Sequence, residues 1–220
     1  MLPLVLASAS PRRAELLRLI GVPFEVLITA AEELTADRIR TPAELVTRNA
    51  QRKAHAATLA APGRLVLAAD TVVALGDAVL GKPADADEAV AMLQRLSGRT
   101  HEVVTGLCLR CNNREVTDHV ATLVSFASLS DELIAAYVAT GEPLDKAGAY
   151  GIQGRGSVLV ERLDGCYFNV VGLPLARLSG LLLEFGVSVG DCWHQPPLPP
   201  VHNDFIPNST CSTDTGACES

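Results

Sequence analysis

Apolar positions along this chain switch between unbroken runs, helical spacing and alternation, and each switch marks an element. Unbroken runs of strand length occupy Pro3 to Ala7, Phe24 to Ile28 and Leu65 to Ala69, as expected of strands covered on both faces. Pro11 to Ile20 carries helical spacing. Thr41-Pro-Ala-Glu44 is a capping box with proline in the first helical position, so a helix is predicted from Pro42 to about Ala60, ended by Pro62-Gly63. Val72 to Leu75 and Ala78 to Leu80 flank Gly76-Asp77 as a hairpin. Ala89, Val90, Leu93 and Leu96 share one face of a helix from Asp85 to Leu96. Two long strands, His101 to Arg110 and Arg114 to Phe126, meet at Asn112-Asn113, and Ser130 with Asp131 and Glu132 opens a further helix. After a glycine-rich stretch from Asp145 to Gly156 come strands at Ser157 to Leu163 and Tyr167 to Val171. A last helix runs from about Pro174 to Phe185. This order predicts an α/β fold, a single domain with a mixed central sheet flanked by helices.

Composition narrows the class. The 220 residues are 48% hydrophobic but only 4% aromatic, so the core is aliphatic and a base-stacking nucleic-acid platform is excluded. A chain of this length buries a core without needing disulfides. Net charge is −7, and the part after Gly190 holds four acids and no Lys or Arg, which leaves the first 189 residues at −3. No general basic footprint for a nucleic-acid polymer exists, so an anionic partner must meet a local cluster of cations. No uncharged apolar run approaches the ~18 residues that span a bilayer. The opening Met1 to Ala9 ends in Ala-x-Ala, but its short apolar stretch contains a proline and lacks a basic leader, so it reads as a strand. Cys108-x-x-Cys111, with no second pair and no nearby His, is a weak zinc or redox signal, and inside an alternating apolar segment it reads as ordinary strand cysteines. These features predict a cytoplasmic protein with no membrane partner. Prolines at 196, 197, 199 and 200 divide the chain into a domain at 1–189 and a disordered tail at 190–220.

Several residue groups carry candidate chemistry. In Ser8-Ala-Ser10-Pro11-Arg12-Arg13, Ser10 suits a helix cap, and the free amides beyond it attract anions. Two arginines in a first helical turn oppose the helix dipole. They are either solvated or offset by a bound phosphate, and the residues alone weigh these equally. Asn49 and Lys53 share the apolar stripe of the Pro42 helix, so Lys53 either runs its stem out to water or meets an anion in a polar cavity. Asp70, in Ala68-Ala69-Asp70-Thr71, is read at the carboxyl end of an apolar strand. That is a usual place for a catalytic or metal-binding acid, although an Asp that caps its own turn is the more common case across proteins. Gly81-Lys82-Pro83 holds a lysine in a stiff turn, able to reach a phosphate or simply to face water. The stretch Asp145 to Gly154 has glycines that admit a ligand close to backbone, and Gln153 offers a donor and an acceptor. Its spacing is neither a Walker loop nor a dinucleotide fingerprint. His101 joins no nucleophile order and is read as structural. Together Arg12, Arg13, Lys53, Lys82 and Lys146 supply positive charge, while Glu33 and Asp70 supply carboxylates for a hard cation. Phosphoryl chemistry needs that mixture.

At these motifs the chain resembles the Maf family of nucleoside triphosphate pyrophosphatases, the septum-formation-inhibitor-like proteins. The resemblance rests on Ser-Ala-Ser-Pro-Arg-Arg at 8–13, Glu33, Lys53, Ala-Asp-Thr at 69–71, Gly-Lys-Pro at 81–83 and Ser-Gly-Arg-Thr-His at 97–101. It continues through Asp-Lys-Ala-Gly-Ala-Tyr-Gly-Ile-Gln-Gly at 145–154 and Gly-Leu-Pro at 172–174, and spans about Leu4 to Val187. It implies an elongated, ITPase-like sheet with a deep cleft, a homodimer, and a reaction that needs a divalent metal, Mg²⁺ or Mn²⁺. A nucleoside triphosphate and water would give the monophosphate and pyrophosphate, in the service of nucleotide-pool sanitation. By resemblance Asp70 accepts the proton of the attacking water, and Glu33 and Asp70 hold the metal. Ser8, Ser10, Arg13, Lys53, Lys82 and Lys146 would bind the substrate. Arg12, Thr71 and Gln153 resemble the specificity positions of members that act on dTTP, UTP and modified pyrimidine nucleotides. Two alternatives stay open: the sister group that acts on 7-methyl-GTP, and a non-catalytic nucleotide-binding regulator of cell division. A pure binder has no need of a water-activating acid, which argues against the regulator.

Overall fold

The computed structural model describes residues 3–35, 39 and 41–194. In chain order its elements are β1 (Leu4–Leu6), α1 (Pro11–Leu19), β2 (Phe24–Val26), α2 (Pro42–Ala60), β3 (Val66–Leu75), β4 (Ala78–Leu80) and α3 (Ala86–Leu96). Then follow β5 (Thr100–Cys111), β6 (Arg114–Phe126), α4 (Asp131–Val138), three short 3₁₀ turns, β7 (Val160–Asp164), α5 (Tyr167–Val171), α6 (Leu175–Glu184) and α7 (Val189–Cys192). The caps form as local rules dictate: Thr41 accepts from the Glu44 amide, Asp85 from Glu88 and Ser130 from Leu133. Among the described residues, no helix is long and apolar enough to cross a membrane.

The strands make one mixed sheet in the order β2-β1-β3-β5-β6-β7, with β4 also on β3. β1 is parallel to β2 and β3; the other pairs are antiparallel. β3 is covered on both faces. Val66, Ala68 and Val72 pack toward α2, against Ala50, Ala54 and Ala57 at one end and Leu45 and Val46 at the other. Leu67 and Ala69 face α1 and α6 through Leu17 and Leu178, while Val73 and Leu75 face α3 and α4 through Leu93 and Ile134. Each face of β3 therefore has two apolar clusters with one polar residue between them, Asp70 on the α2 side and Thr71 on the other.

Five expectations change. Leu65 to Ala69 and Val72 to Leu75 are one strand, because β5 pairs with β3 continuously from Val66 to Ala74, through Asp70 and Thr71. Asp70 is thus mid-strand, not at a strand end. Tyr167–Val171 is a helix rather than a strand, closed by Gly172 at φ 119°, and Asn169 at its centre is fully buried. The strand read from Ser157 begins only at Val160, after a 3₁₀ turn over Gly154–Leu159, and the one read to Ile28 ends at Val26. Finally, residues 190–194, assigned to the tail, belong to the fold: Cys192 joins the core, and Trp193 donates from Nε1 to the Ile20 carbonyl at 2.8 Å. The expected disorder at 195–220 lies outside the described residues.

Candidate active site

A notch in the sheet makes the site. On one edge of β3, β1 pairs only as far as Leu67, and the pairing with β4 starts only at Val73. Between them that edge has no strand partner among the described residues, and residues of both faces of β3 line one cleft of about 820 Å³. Asp70 and Thr71 form its floor. The β1–α1 turn, α2, the Glu33 segment, the Lys82 turn and the glycine-rich segment form its walls.

On the α2 side, Asp70 is buried and accepts from Lys53 Nζ at 2.7 Å and from Asn49 Nδ2 at 3.0 Å. Lys53 Nζ also lies 2.8 Å from Glu33 Oε1, so one ammonium bridges the two carboxylates. Its side chain is only 15% exposed, which excludes the reading in which it runs out to water. Asn49 is the hub that the sequence left without a role. Its Oδ1 accepts from the Leu34 amide at 2.7 Å and its Nδ2 donates to the Leu34 carbonyl, so it ties the Glu33 segment to Asp70. α2 can come this close because Gly106 lies opposite Asp70 in β5. A Cβ there would sit 2.5 Å from the Val46 carbonyl carbon. Burial would raise the Glu33 carboxyl, but the hydrogen bond and charge of Lys53, with Lys82 and Arg13 further off, outweigh it and hold Glu33 below the ordinary carboxylate range.

On the other side, Arg13 is buried and its guanidinium is anchored at three atoms. Nε donates to the Gly172 carbonyl at 2.9 Å, Nη1 to Ser8 Oγ at 3.0 Å and Nη2 to Thr71 Oγ1 at 3.0 Å. Burial lowers its pKa from the usual arginine value, against the attraction of Asp70. Arg12 pairs with Asp145 at 3.1 Å, and Asp145 also holds Lys146. The solvated reading therefore fails for Arg13, while Arg12 is part-exposed and paired with Asp145. Ser10 occupies the N-cap of α1, but its hydroxyl makes no cap hydrogen bond, contrary to expectation, and the first amides of the helix stay open to an anion.

The glycine-rich segment is ordered rather than loose. The Glu142 carboxylate accepts from the Tyr137 hydroxyl and from the amides of Arg155 and Gly156, and the Gly148 amide donates to the Gly81 carbonyl beside Lys82. Lys82 and Gln153 are exposed at the cleft. Every residue the sequence singled out thus lines this one cleft. Asn49, named but given no role, gains one here, and Glu142 is the addition: two of its donors are the backbone amides of Arg155 and Gly156, which leave no mark in a residue pattern.

Among the described residues no three His, Cys, Asp or Glu side chains converge as a metal cage. Glu33 and Asp70 offer a two-carboxylate set. Mg²⁺ is commonly held by one or two carboxylates together with substrate phosphates and waters, so this pair fits a cation shared with a nucleotide.

A mixed α/β sheet notched over paired carboxylates and ringed by cations defines a protein built for phosphoanhydride-type ligands. The chain belongs to the Maf family: the model described as "Maf-like protein" matches residues 3–185. A dTTP/UTP pyrophosphatase of Symbiobacterium thermophilum is 53% identical over 189 residues, 86% of this chain and 97% of that protein. Those of Acetivibrio thermocellus and Nitratidesulfovibrio vulgaris are 50% and 52% identical, over 86% and 84% of this chain and 98% and 88% of their own lengths. Among solved structures, a nucleoside-triphosphatase/dITP/XTP pyrophosphatase of Mycobacterium abscessus matches with TM-score 0.40 and 21% identity, over 58% of this chain and 76% of its own.

Proposed function

We propose that the protein hydrolyses dTTP and UTP to the monophosphate and pyrophosphate. The observation that carries this reading is the Lys53 ammonium set between Glu33 and Asp70, beside the anchored Arg13, in a cleft large enough for a nucleotide. The curated relatives at about half identity bear the same activity in their names.

The residues divide the work. Arg13, Lys53, Lys82 and the open amides at the start of α1 bind the triphosphate, with Ser8, Ser10 and Lys146 completing its surroundings. Asp70 holds one donor on each oxygen and keeps lone pairs free, so it orients a water against the α-phosphorus and accepts its proton. The new bond joins that water oxygen to phosphorus; the bond to the bridging oxygen breaks, and pyrophosphate leaves. A divalent cation held by Glu33 and Asp70 would neutralise charge on the phosphates. Gln153 at the rim presents a donor and an acceptor, the complement of a pyrimidine pairing edge, and Arg12 and Thr71 shape the same end.

The test is pyrophosphate release from dTTP, UTP, CTP, dATP, GTP and 7-methyl-GTP, with Mg²⁺ or Mn²⁺ and with chelator. Metal-dependent release from dTTP and UTP is expected. Release from 7-methyl-GTP alone keeps the chemistry and overturns the use of Arg12, Thr71 and Gln153. No release from any nucleotide by folded protein overturns the reading and favours a binding protein.

A further inference from the structure

On the face of the sheet opposite α2, the polar break in the core does not stop at Thr71. Thr105 is paired with Thr71 in the strand register, and Thr105, Thr122 and Asn169 are all fully or almost fully buried. Neither Thr105 nor Asn169 lines the cleft. Yet their hydrogen bonds form a directed chain that ends on Arg13. Thr105 Oγ1 donates its single proton to the Asn169 carbonyl at 3.0 Å, so in its 2.9 Å contact with Thr71 it must accept. Thr71 therefore donates to Thr105 and accepts from Arg13 Nη2. The second anchor runs to the same place. Arg13 Nε donates to the Gly172 carbonyl, and the Gly172 amide donates to the Asn169 carbonyl at 3.0 Å. Asn169 is itself pinned by Nδ2, which donates to the Val103 carbonyl and to Thr122 Oγ1, both at 2.9 Å.

We propose that Thr105 and Asn169 are positioning residues that aim the Arg13 guanidinium at the nucleotide, an inference that rests on the pyrophosphatase reading. A guanidinium is a rigid fork with five N–H donors. Ser8, Thr71 and Gly172 take three of them, so the plane is fixed and the direction of the remaining two is set by where those anchors stand. Thr71 and Gly172 stand where Thr105 and the Asn169 carbonyl hold them. The polar ladder through the core is thus the mount of a substrate-binding group.

The test compares Thr105→Val, which keeps shape and removes the donor, with Thr105→Ser, which keeps the hydroxyl. Thr105→Val raises KM for dTTP or UTP about tenfold with kcat changed less than about threefold, the signature of lost binding, and Thr105→Ser restores the wild-type KM. In an Arg13→Lys background, Thr105→Val adds no further increase. An unchanged KM in folded Thr105→Val, no rescue by Ser, or an undiminished increase in the Arg13→Lys background overturns the proposal. NMR on the wild-type protein supplies a readout that needs no folded Thr105 variant. The Arg13 Nε–H resonance, assigned by its loss in Arg13→Lys, exchanges slowly with solvent if anchored, and exchange as fast as at exposed arginines overturns the proposal. A wild-type protein that releases no pyrophosphate refutes the pyrophosphatase reading instead, and the Nε–H exchange still decides whether the mount exists.

Discussion

Lys53 is the central charge on the carboxylate side of the site. It stands between two carboxylates that would otherwise repel each other, and it supplies the hydrogen bond and the largest charge effect that hold Glu33 below the ordinary carboxylate range. In Lys53→Met, burial acts on Glu33 against only the more distant Lys82 and Arg13, so its carboxyl rises. The acidic limb of the kcat/KM profile moves to higher pH, which a pH series on the variant checks. Asp70→Asn keeps the shape and the Asn49 and Lys53 neighbours but cannot take a proton. Turnover falls by about 10²–10⁴-fold in pyrophosphate release while circular dichroism stays native. The cations and carboxylates were legible from the motifs. The groups that hold them were not: Asp145 answers Arg12 across 133 residues, and Thr105 and Asn169 are neutral residues whose direction of bonding only the fold reveals.

At the scale of elements, the local signals were the trustworthy ones. Thr41, Asp85 and Ser130 cap their helices because a cap depends on three neighbouring residues and nothing else. Tyr167–Val171 misled for the opposite reason. Tyr-Phe-Asn-Val-Val has the β-branched and aromatic character of a strand, but the tertiary bonds of Asn169 and the left-handed cap at Gly172 fold it as a turn and a half of helix. Asp70-Thr71 looked like a strand end because polarity usually marks one, whereas pairing with β5 carries the strand through. At Gly106 α2 lies so close on β5 that a Cβ has no room. Gly106→Ala forces α2 outward, destabilises the protein by about 1–3 kcal/mol and displaces Asn49 and Lys53. Thermal melting registers the first effect and a raised KM the second.

For the molecule as a whole, apolar burial supplies most of the stability. Leu17, Leu67, Leu93 and Leu178 are fully enclosed, at about 2 kcal/mol each. The acid limit of that stability lies in His101. Its Nε2 is 2.8 Å from the Tyr150 hydroxyl, the ring stacks edge-on with Phe126 and Tyr150, and burial lowers its pKa to about 4. Between pH 6.5 and 4 the unfolded chain binds a proton that the folded one refuses, so stability falls as pH falls through that window. The loss reaches about 3 kcal/mol. Urea melts from pH 7 to 4 should show this slope, and His101→Gln should flatten it. The α/β class and mixed sheet were readable from the order of elements, but the gap in the β3 edge was not, since strand ends are the least certain feature of any apolar pattern.

That gap has a consequence for descent. Residues 70 and 71 are adjacent in the gene but answer to different layers of the protein, one to α2 and the other to α1 and α5. A lineage can drift in the packing behind Thr71, and so in how Arg13 is held, without disturbing the layer that holds Asp70. The mount of Arg13 and the hold on Asp70 can vary separately, on opposite sides of one strand.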